Sequence, residues 1–238
     1  MEDRAAAPPI PISQEINYQE NVGDSEKTII QNEMKKLSLA ILKKHLEGRT
    51  VIQEKVKKWS DFVIDEVYSV LSKKYPQFGY LIFFFMSDIT AFVANANAVY
   101  YPKTDIHFNV PFHTNNFYSA VRVYATKKTS KTKNFLENMN DSDMVTKINY
   151  KITSLLEDRQ FVFEPFQNVV ANICQDINEV LLERDDKPCS YHTAYINKLP
   201  TKGLCFYYKC FDMEFNTINF IYSNASFICR VFLFFINN

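Results

Sequence analysis

The apolar positions of the chain change from helical to strand spacing in a fixed order. From Glu26 to Glu47 they recur every three or four residues, which predicts a helix that Gly48 is placed to end. Thr50 and Gln53 form a capping-box pattern that predicts the start of a second helix, ending near Lys74. Beyond Pro76, β-branched and aromatic residues predict four strands, over residues 79–87, 91–101, 106–112 and 117–128.

The same order returns in the second half of the chain. Met144, Ile148, Ile152 and Leu155 form the apolar stripe of a third predicted helix, and Pro165 suits the first turn of a fourth. Four further strands are predicted over residues 189–197, 203–211, 215–222 and 225–236. The last of these carries Arg230 and is too short to cross a membrane, so we interpret it as a buried strand.

Residue identities and spacings indicate that the second half duplicates the first. YYPKTDIHFN at Tyr100–Asn109 and YYKCFDMEFN at Tyr207–Asn216 match at five positions with an offset of 107. The pair Arg122-Val123 recurs as Arg230-Val231. At an offset of 110, six apolar positions of the second helix match six of the fourth: Val56, Trp59, Val63, Val67, Val70 and Leu71 against Phe166, Val169, Ile173, Ile177, Val180 and Leu181.

The chain is therefore divided into four segments. We expect a disordered or partner-ordered tail over residues 1–26, which hold three prolines, and two α+β domains over 27–126 and 139–238. The lysine-rich stretch within 127–138 is interpreted as a solvated linker rather than a basic docking patch.

Composition narrows the classes of partner. The 27 basic and 27 acidic residues cancel, which makes nucleic acid an unexpected partner. The first residues lack the basic start and apolar run of a secretory leader, and no stretch is long enough to span a membrane, so we expect an intracellular protein without membrane contact. Five cysteines without a C-x-x-C pair fit a reducing compartment.

We find no sequence pattern for catalysis, a cofactor or a metal. Four glycines leave no phosphate-binding loop, and the four histidines lack ligand spacing. Asp105 and Asp212 fall between consecutive predicted strands, where a carboxylate can accept backbone N–H groups, and we interpret both as structural. Trp59 lies on a helical apolar stripe and is also interpreted as structural.

The order of two helices and four strands resembles the Tctex-type dynein light chains. The pattern Val56-x-x-Trp59-Ser60-x-x-Val63 is similar to the second helix of that family. In each half the resemblance continues through a tyrosine, an aspartate five residues later, an aromatic third strand and an apolar last strand. It covers about residues 27–126 and 139–236, with tyrosine replacing the strand tryptophan of the family and Val169 replacing the second helical tryptophan.

The resemblance implies a non-catalytic adaptor made of two tandem Tctex-like domains. Such an adaptor pairs its domains by exchanging a strand and binds an extended segment of a dynein intermediate chain or cargo by strand addition. We expect the two domains of this chain to pair with each other as an intramolecular pseudo-dimer, or to join other light chains in a hetero-complex. The expected partner-binding or pairing residues lie on the second strand of each half: Phe92, Val93, Ala94, Asn95, Ala96, Val99, Tyr100, Tyr101, Leu204, Phe206, Tyr207 and Tyr208.

Three alternatives remain open at this point, one of which is an enzyme that uses an unfamiliar site. The chain could be a structural subunit of a ciliary or axonemal complex that does not bind a dynein motor, because a fold does not determine a function. For any one residue of the second strands, ordinary sheet packing explains the pattern as well as ligand contact does. The expected locations are the cytoplasm and cytoskeleton, including the cilium or axoneme.

Overall fold

The structure, a computed structural model, describes most of the chain outside its first 24 residues. The described residues are 25–50, 52–87, 92–99, 104–114, 116–128, 142–183, 190–199 and 205–237. Most of the predicted tail and linker, together with Tyr100, Tyr101 and Leu204, lie outside this range.

The described residues form an α+β fold of four helices and two antiparallel sheets, as the sequence predicts. The helices are α1 (Ser25–Leu46), α2 (Gln53–Lys74), α3 (Ser142–Leu156) and α4 (Phe163–Leu182). The strands are β1 (Phe78–Ser87), β2 (Phe92–Val99), β3 (Ile106–His113), β4 (Tyr118–Lys127), β5 (Ser190–Lys198), β6 (Cys205–Phe211), β7 (Glu214–Ser223) and β8 (Phe227–Asn237).

Each sheet takes three strands from one half of the chain and one strand from the other half. The first sheet has the order β3-β4-β1-β6, and the second has the order β2-β5-β8-β7. Strand β6 of the second half pairs with β1, and β2 of the first half pairs with β5. The two halves therefore exchange their second strands within one chain.

The elements stack as helices, sheet, sheet and helices, with three apolar cores between the layers. Helices α1 and α2 cover the first sheet and enclose a core that includes Trp59, Val63 and Phe84. Helices α3 and α4 cover the second sheet around Ile173 and Val231. A third core, rich in aromatic side chains, joins the opposite faces of the two sheets, so the central strands are buried on both faces.

Sequence spacing explains the helices well, with one exception. Gly48 has φ of 70°, a left-handed conformation that glycine adopts without steric cost, and it follows α1 as predicted. The predicted capping box at Thr50 is wrong. The N-cap of α2 is Ile52, whose extended backbone (φ −120°, ψ 109°) places it just outside the helix, and no side-chain bond caps this end.

Strand registers correct the alignment of the two halves. The turns Thr114–Phe117 and Asn224–Phe227 each close with a backbone hydrogen bond of 3.0 Å from the first residue to the fourth, so these hairpins match at an offset of 110. At that offset Arg122 corresponds to Phe232, and the expected match of Arg122 with Arg230 is wrong.

The second strands match at a different offset. Ala94 lies opposite Tyr195 while Phe206 lies opposite Phe85, so Ala94 and Phe206 hold equivalent places, 112 residues apart. The YYPKTDIHFN and YYKCFDMEFN segments align at 107 in sequence, and a shift of five residues reverses the face of every side chain in a strand. The two segments are therefore similar in sequence but do not occupy equivalent positions in the strand pairing.

Candidate functional site

The exchanged strands β2 and β6 are the places where the two halves of the chain meet by backbone pairing. Within the described residues, each pairs with a neighbouring strand on one side only and so forms an edge of its sheet. Of the residues expected here, Phe92, Val93, Ala94, Asn95, Ala96 and Val99 lie on β2, and Phe206, Tyr207 and Tyr208 lie on β6. The structure therefore brings these predicted residues into the two pairing strands.

The two exchanged strands fill the space between the sheets unequally. Phe206 lies 5.3 Å from Tyr195 between ring centroids, and Tyr208 lies 4.9 Å from Phe234, so β6 supplies two aromatic rings to the core between the sheets. At the place equivalent to Phe206, β2 supplies only Ala94, which is partly buried against the same core. Tyr207 points to the other side and packs against the first helical core.

The outer part of β6 is tied to α2 by a charged cluster. Lys209 Nζ lies 2.8 Å from Asp65 Oδ1 and 3.1 Å from Asp61 Oδ1, although these carboxylates belong to the other half of the chain. Partial burial alone would lower the pKa of Lys209, but its hydrogen bonds to Asp65 and Asp61 outweigh that effect and raise it. The ammonium group therefore stays charged and links the two halves.

The turn between β6 and β7 makes a second tie. Asp212, with φ of 59°, accepts a hydrogen bond from the hydroxyl of Tyr68 at 3.0 Å and one from Lys128 Nζ at 3.1 Å. The hydrogen bond to Asp212 raises the pKa of Tyr68, so its hydroxyl remains a donor. The ring of Tyr68 also stacks on Phe211 with centroids 3.9 Å apart.

The same turn lies close to the backbone of β1. A Cβ atom added at Gly79 would stand 2.9 Å from the carbonyl oxygen of Asp212 and 3.1 Å from Cβ of Met213. Glycine is the residue that admits such a close approach of two backbone segments.

The three residues interpreted as structural have different surroundings. Trp59 is 6% exposed, lies in the core under α1 and α2, and has the guanidinium of Arg49 over its ring at 5.4 Å. Asp105 is 2% exposed and accepts the backbone N–H of Lys127 on β4 at 3.4 Å. Asp212 instead lies exposed in its turn, so the two aspartates do not share one structural place.

Several titratable side chains are buried in a way that suppresses reactivity. Burial raises the pKa of the Cys174 and Cys210 thiols to about 12, which disfavours the nucleophilic thiolate. Burial lowers the pKa of His192 to about 4, and its Nε2 lies 2.9 Å from the carbonyl oxygen of Cys174. Within the described ranges, no group of three or more His, Cys, Asp or Glu side chains could hold a metal ion.

Two sheet edges lie away from the exchanged strands, at β3 and β7. The hydrogen bonds that close the turns at Thr114 and Asn224 fix which residues turn their backbone groups outward. The outward residues are His107, Asn109, Pro111 and His113 on β3, and Thr217, Asn219, Ile221 and Ser223 on β7. In the part of the chain that the structure describes, each of these strands has a neighbour on one side only.

The β3 and β7 edges differ in their outward backbone N–H groups and in the side chains that cover them. Pro111 lacks the backbone N–H that Ile221 offers at the equivalent place on β7. On β3, the side chain of Gln31 in α1 donates to the carbonyl oxygen of His107. Ile221 is 64% exposed, which makes β7 the edge with an uncovered apolar side chain.

The comparisons with known proteins identify no relative. No protein-family model matches the chain, and no curated protein is significantly similar to its sequence.

Sequence reasoning did not find Tyr68, Lys209, Gly79 or Ile221. Their roles depend on which strand lies beside which helix. The sequence indicates this only weakly, through an isolated charged or small residue within an apolar stretch.

None of the described helices is long and apolar enough to span a membrane.

Proposed function

We propose that this chain is a non-catalytic adaptor of the Tctex-type dynein light chain kind. In this proposal residues 27–126 and 139–238 form two Tctex-like domains, paired as an intramolecular pseudo-dimer, that hold an extended segment of a partner by strand addition. The observation that carries the proposal is the exchange of β2 and β6 between the halves of one chain.

The exchange supports a pseudo-dimer because it has the form of a twofold interface. In such an interface, a contact from the first unit to the second is repeated from the second to the first. The β1–β6 and β5–β2 pairs satisfy this relation, and the core between the sheets takes residues from both halves. With both units in one chain, internal pairing has an effective concentration on the order of millimolar.

The outer edge of β7 is the place we propose for the partner segment. Its outward residues, Thr217, Asn219, Ile221 and Ser223, each have a backbone N–H and C=O with which an added strand could pair. An added strand would also cover part of Ile221, which is 64% exposed. The β3 edge is a poorer site because Pro111 removes one donor.

The partner class we propose is an extended segment of a dynein intermediate chain or of a cargo protein. Backbone pairing would supply most of the affinity, and the side chains beside Asn219 and Ile221 would set the specificity. The arrangement suits a scaffold that holds a segment in place, since the site offers hydrogen-bonding edges and apolar surface.

The test is affinity capture of the full chain from its own cells, beside an Ile221→Pro variant. Proline at position 221 copies Pro111 of the equivalent strand, so it removes one outward donor while the β7–β8 ladder stays intact. We expect the unmodified chain to capture intermediate and heavy chains of dynein in stoichiometric amounts, and the variant to capture at least about tenfold less.

A matched control is Tyr150→Ala, which changes an exposed side chain of α3 outside the sheets. Capture of filament or docking proteins without motor subunits would make the chain a structural subunit of a ciliary or axonemal complex instead. Equal capture of the same partners by the Ile221→Pro variant would contradict the β7 site.

A further inference from the structure

The β3 edge has one apolar face and one polar, positively charged face. Ile106, Phe108 and Val110 point toward α1 and are buried in the first helical core. His107 and Asn109 alternate with them and point to the opposite face. A strand added at this edge would need apolar side chains on the first face and polar or acidic ones on the second.

Arg122 supplies the positive charge behind this edge. It lies directly across from Asn109 on β4, and only 8% of its surface is exposed. No ion pair joins Arg122 to a carboxylate in the described part of the chain. A buried guanidinium without a carboxylate is costly, and an acidic side chain would offset that cost.

Helix α1 contributes further positive charge near the same edge. Lys27 and Lys35 lie near enough to His107 to act on its ring electrostatically, and Gln31 reaches the His107 carbonyl oxygen. The first turns of α1 therefore lie beside β3.

The sequence before α1 has the pattern that this edge needs. From Ile10 to Tyr18 it reads IPISQEINY. Alternate positions hold four apolar or aromatic residues and Gln14 (Ile10, Ile12, Gln14, Ile16 and Tyr18), and the others hold Pro11, Ser13, Glu15 and Asn17. A strand with this alternation has one apolar face and one polar face that carries an acid. Residues 1–24 contain five acidic residues and one basic residue.

We propose that Ile10–Tyr18 adds to the outer edge of β3 as a fifth strand of the first sheet. Its isoleucines then extend the apolar face of β3 beneath α1, and Glu15 faces the side on which Asn109 and Arg122 lie. Six residues, from Gln19 to Asp24, connect the segment to α1, and they can span up to about 20 Å. Because the segment is tethered, its effective concentration at the edge is on the order of millimolar.

This occupant makes the β3 and β7 edges unequal in use. With Ile10–Tyr18 on β3, an external segment finds β7 open, while binding at β3 requires displacement of the chain's own tail. The inference concerns β3 and its own tail, so it stands or fails separately from the partner site proposed at β7.

The experiment is hydrogen exchange of the full chain followed by mass spectrometry or NMR at single-residue resolution. The reporting amides are Asn109 and His113, whose N–H groups point away from β4, together with those of Ile10–Tyr18. We expect both sets to exchange at least about tenfold more slowly in the unmodified chain than in the double variant Ile12→Asp/Ile16→Asp. A Glu15→Lys variant should lose part of the same protection.

The matched control is Val22→Asp, which places an acid in the tail outside the alternating segment and should leave both sets protected. Amides of β1 and β5 report whether the fold itself is unchanged in every variant. Fast exchange of Asn109 and His113 in the unmodified chain would overturn the inference. Edge protection that persists in the double variant and rises with protein concentration would also overturn it, because a second copy would then cover β3.

Discussion

The hydroxyl of Tyr68 donates a hydrogen bond of 3.0 Å to the carboxylate of Asp212, which lies 144 residues further along the chain. The two residues belong to different halves, and the contact exists because β6 crosses to the sheet of the first half. The change in unfolding free energy on substituting either residue therefore reports on the strand exchange.

Tyr68→Ala should destabilise the fold by about 2 kcal/mol, because it removes both the stack on Phe211 and the hydrogen bond to Asp212. Tyr68→Phe keeps the stack and should cost less than half as much. Urea unfolding of the full chain measures both changes. Tyr150→Ala, at a tyrosine that is 73% exposed, is the matched control and should change stability by less than about 0.5 kcal/mol. An equal effect at the two tyrosines would show that the tie at Asp212 contributes nothing.

For Gly79→Ala, the direction of the change in unfolding free energy tests whether the turn at Asp212 lies against β1. At an unstrained position with free space, this change stabilises a protein by roughly 0.4–1 kcal/mol by restricting the unfolded chain. Here the new Cβ would meet a backbone oxygen 2.9 Å away, so we expect a loss of about 1–3 kcal/mol in urea unfolding. A stabilised variant would mean that the turn at Asp212 does not lie against β1.

His192 should make stability depend on pH below neutrality. Its pKa in the fold is about 4, below the usual 6.5, because burial disfavours the charged ring. The unfolded chain therefore binds a proton more readily, and the contribution is complete above pH 6.5 and is lost as pH falls toward 4. Relative to His192→Gln, the unmodified chain should lose about 2–3 kcal/mol between pH 7 and 4.5.

Chemical unfolding at a series of pH values measures this difference. His107 has a similarly lowered pKa but is present in both proteins, so its effect cancels in the comparison. Parallel pH profiles for the two proteins would show that His192 is accessible to water in the fold.

Local spacing was sufficient to predict the elements but not their arrangement in space. The stripe from Val56 to Leu71 and its copy from Phe166 to Leu181 lie in the two helical cores, as the three- and four-residue spacing predicts. Strand bounds agree with the predicted ranges within a few residues. These features depend on neighbours in sequence, which a single chain displays directly.

The register of the exchanged strands could not be predicted in the same way. The shared Tyr-Tyr pairs of the two halves suggested an offset of 107, whereas Ala94 and Phe206 occupy equivalent places at 112. Packing between the sheets decides this, because the bulk of Phe206 fills space beside Tyr195 that Ala94 does not fill. Identity of residues in short segments says little about which face a strand turns to its neighbour.

The partner site proposed at β7 was not predicted from the sequence, and partner contact at the second strands stays a prediction. The sequence pointed to the second strands, and the described residues of β2 and β6 do lie where the halves pair. It gave no indication of the β7 edge, because the exposure of Ile221 depends on β7 being the last strand of its sheet.

The central claim is that the strand exchange occurs within one chain, and a disulfide across β1 and β6 tests it most directly. Leu81 lies opposite Cys210, and directly opposed strand residues have Cα separations that a disulfide can bridge. Chains with Leu81→Cys, half of them labelled with ¹⁵N, would be unfolded together in reductant, refolded at micromolar concentration and oxidised. Mass spectrometry would then identify the isotopes in the peptide pair that links positions 81 and 210. The account predicts pairs of one isotope only, in a monomeric product. Mixed pairs in about half of the linked product would show exchange between chains and contradict it.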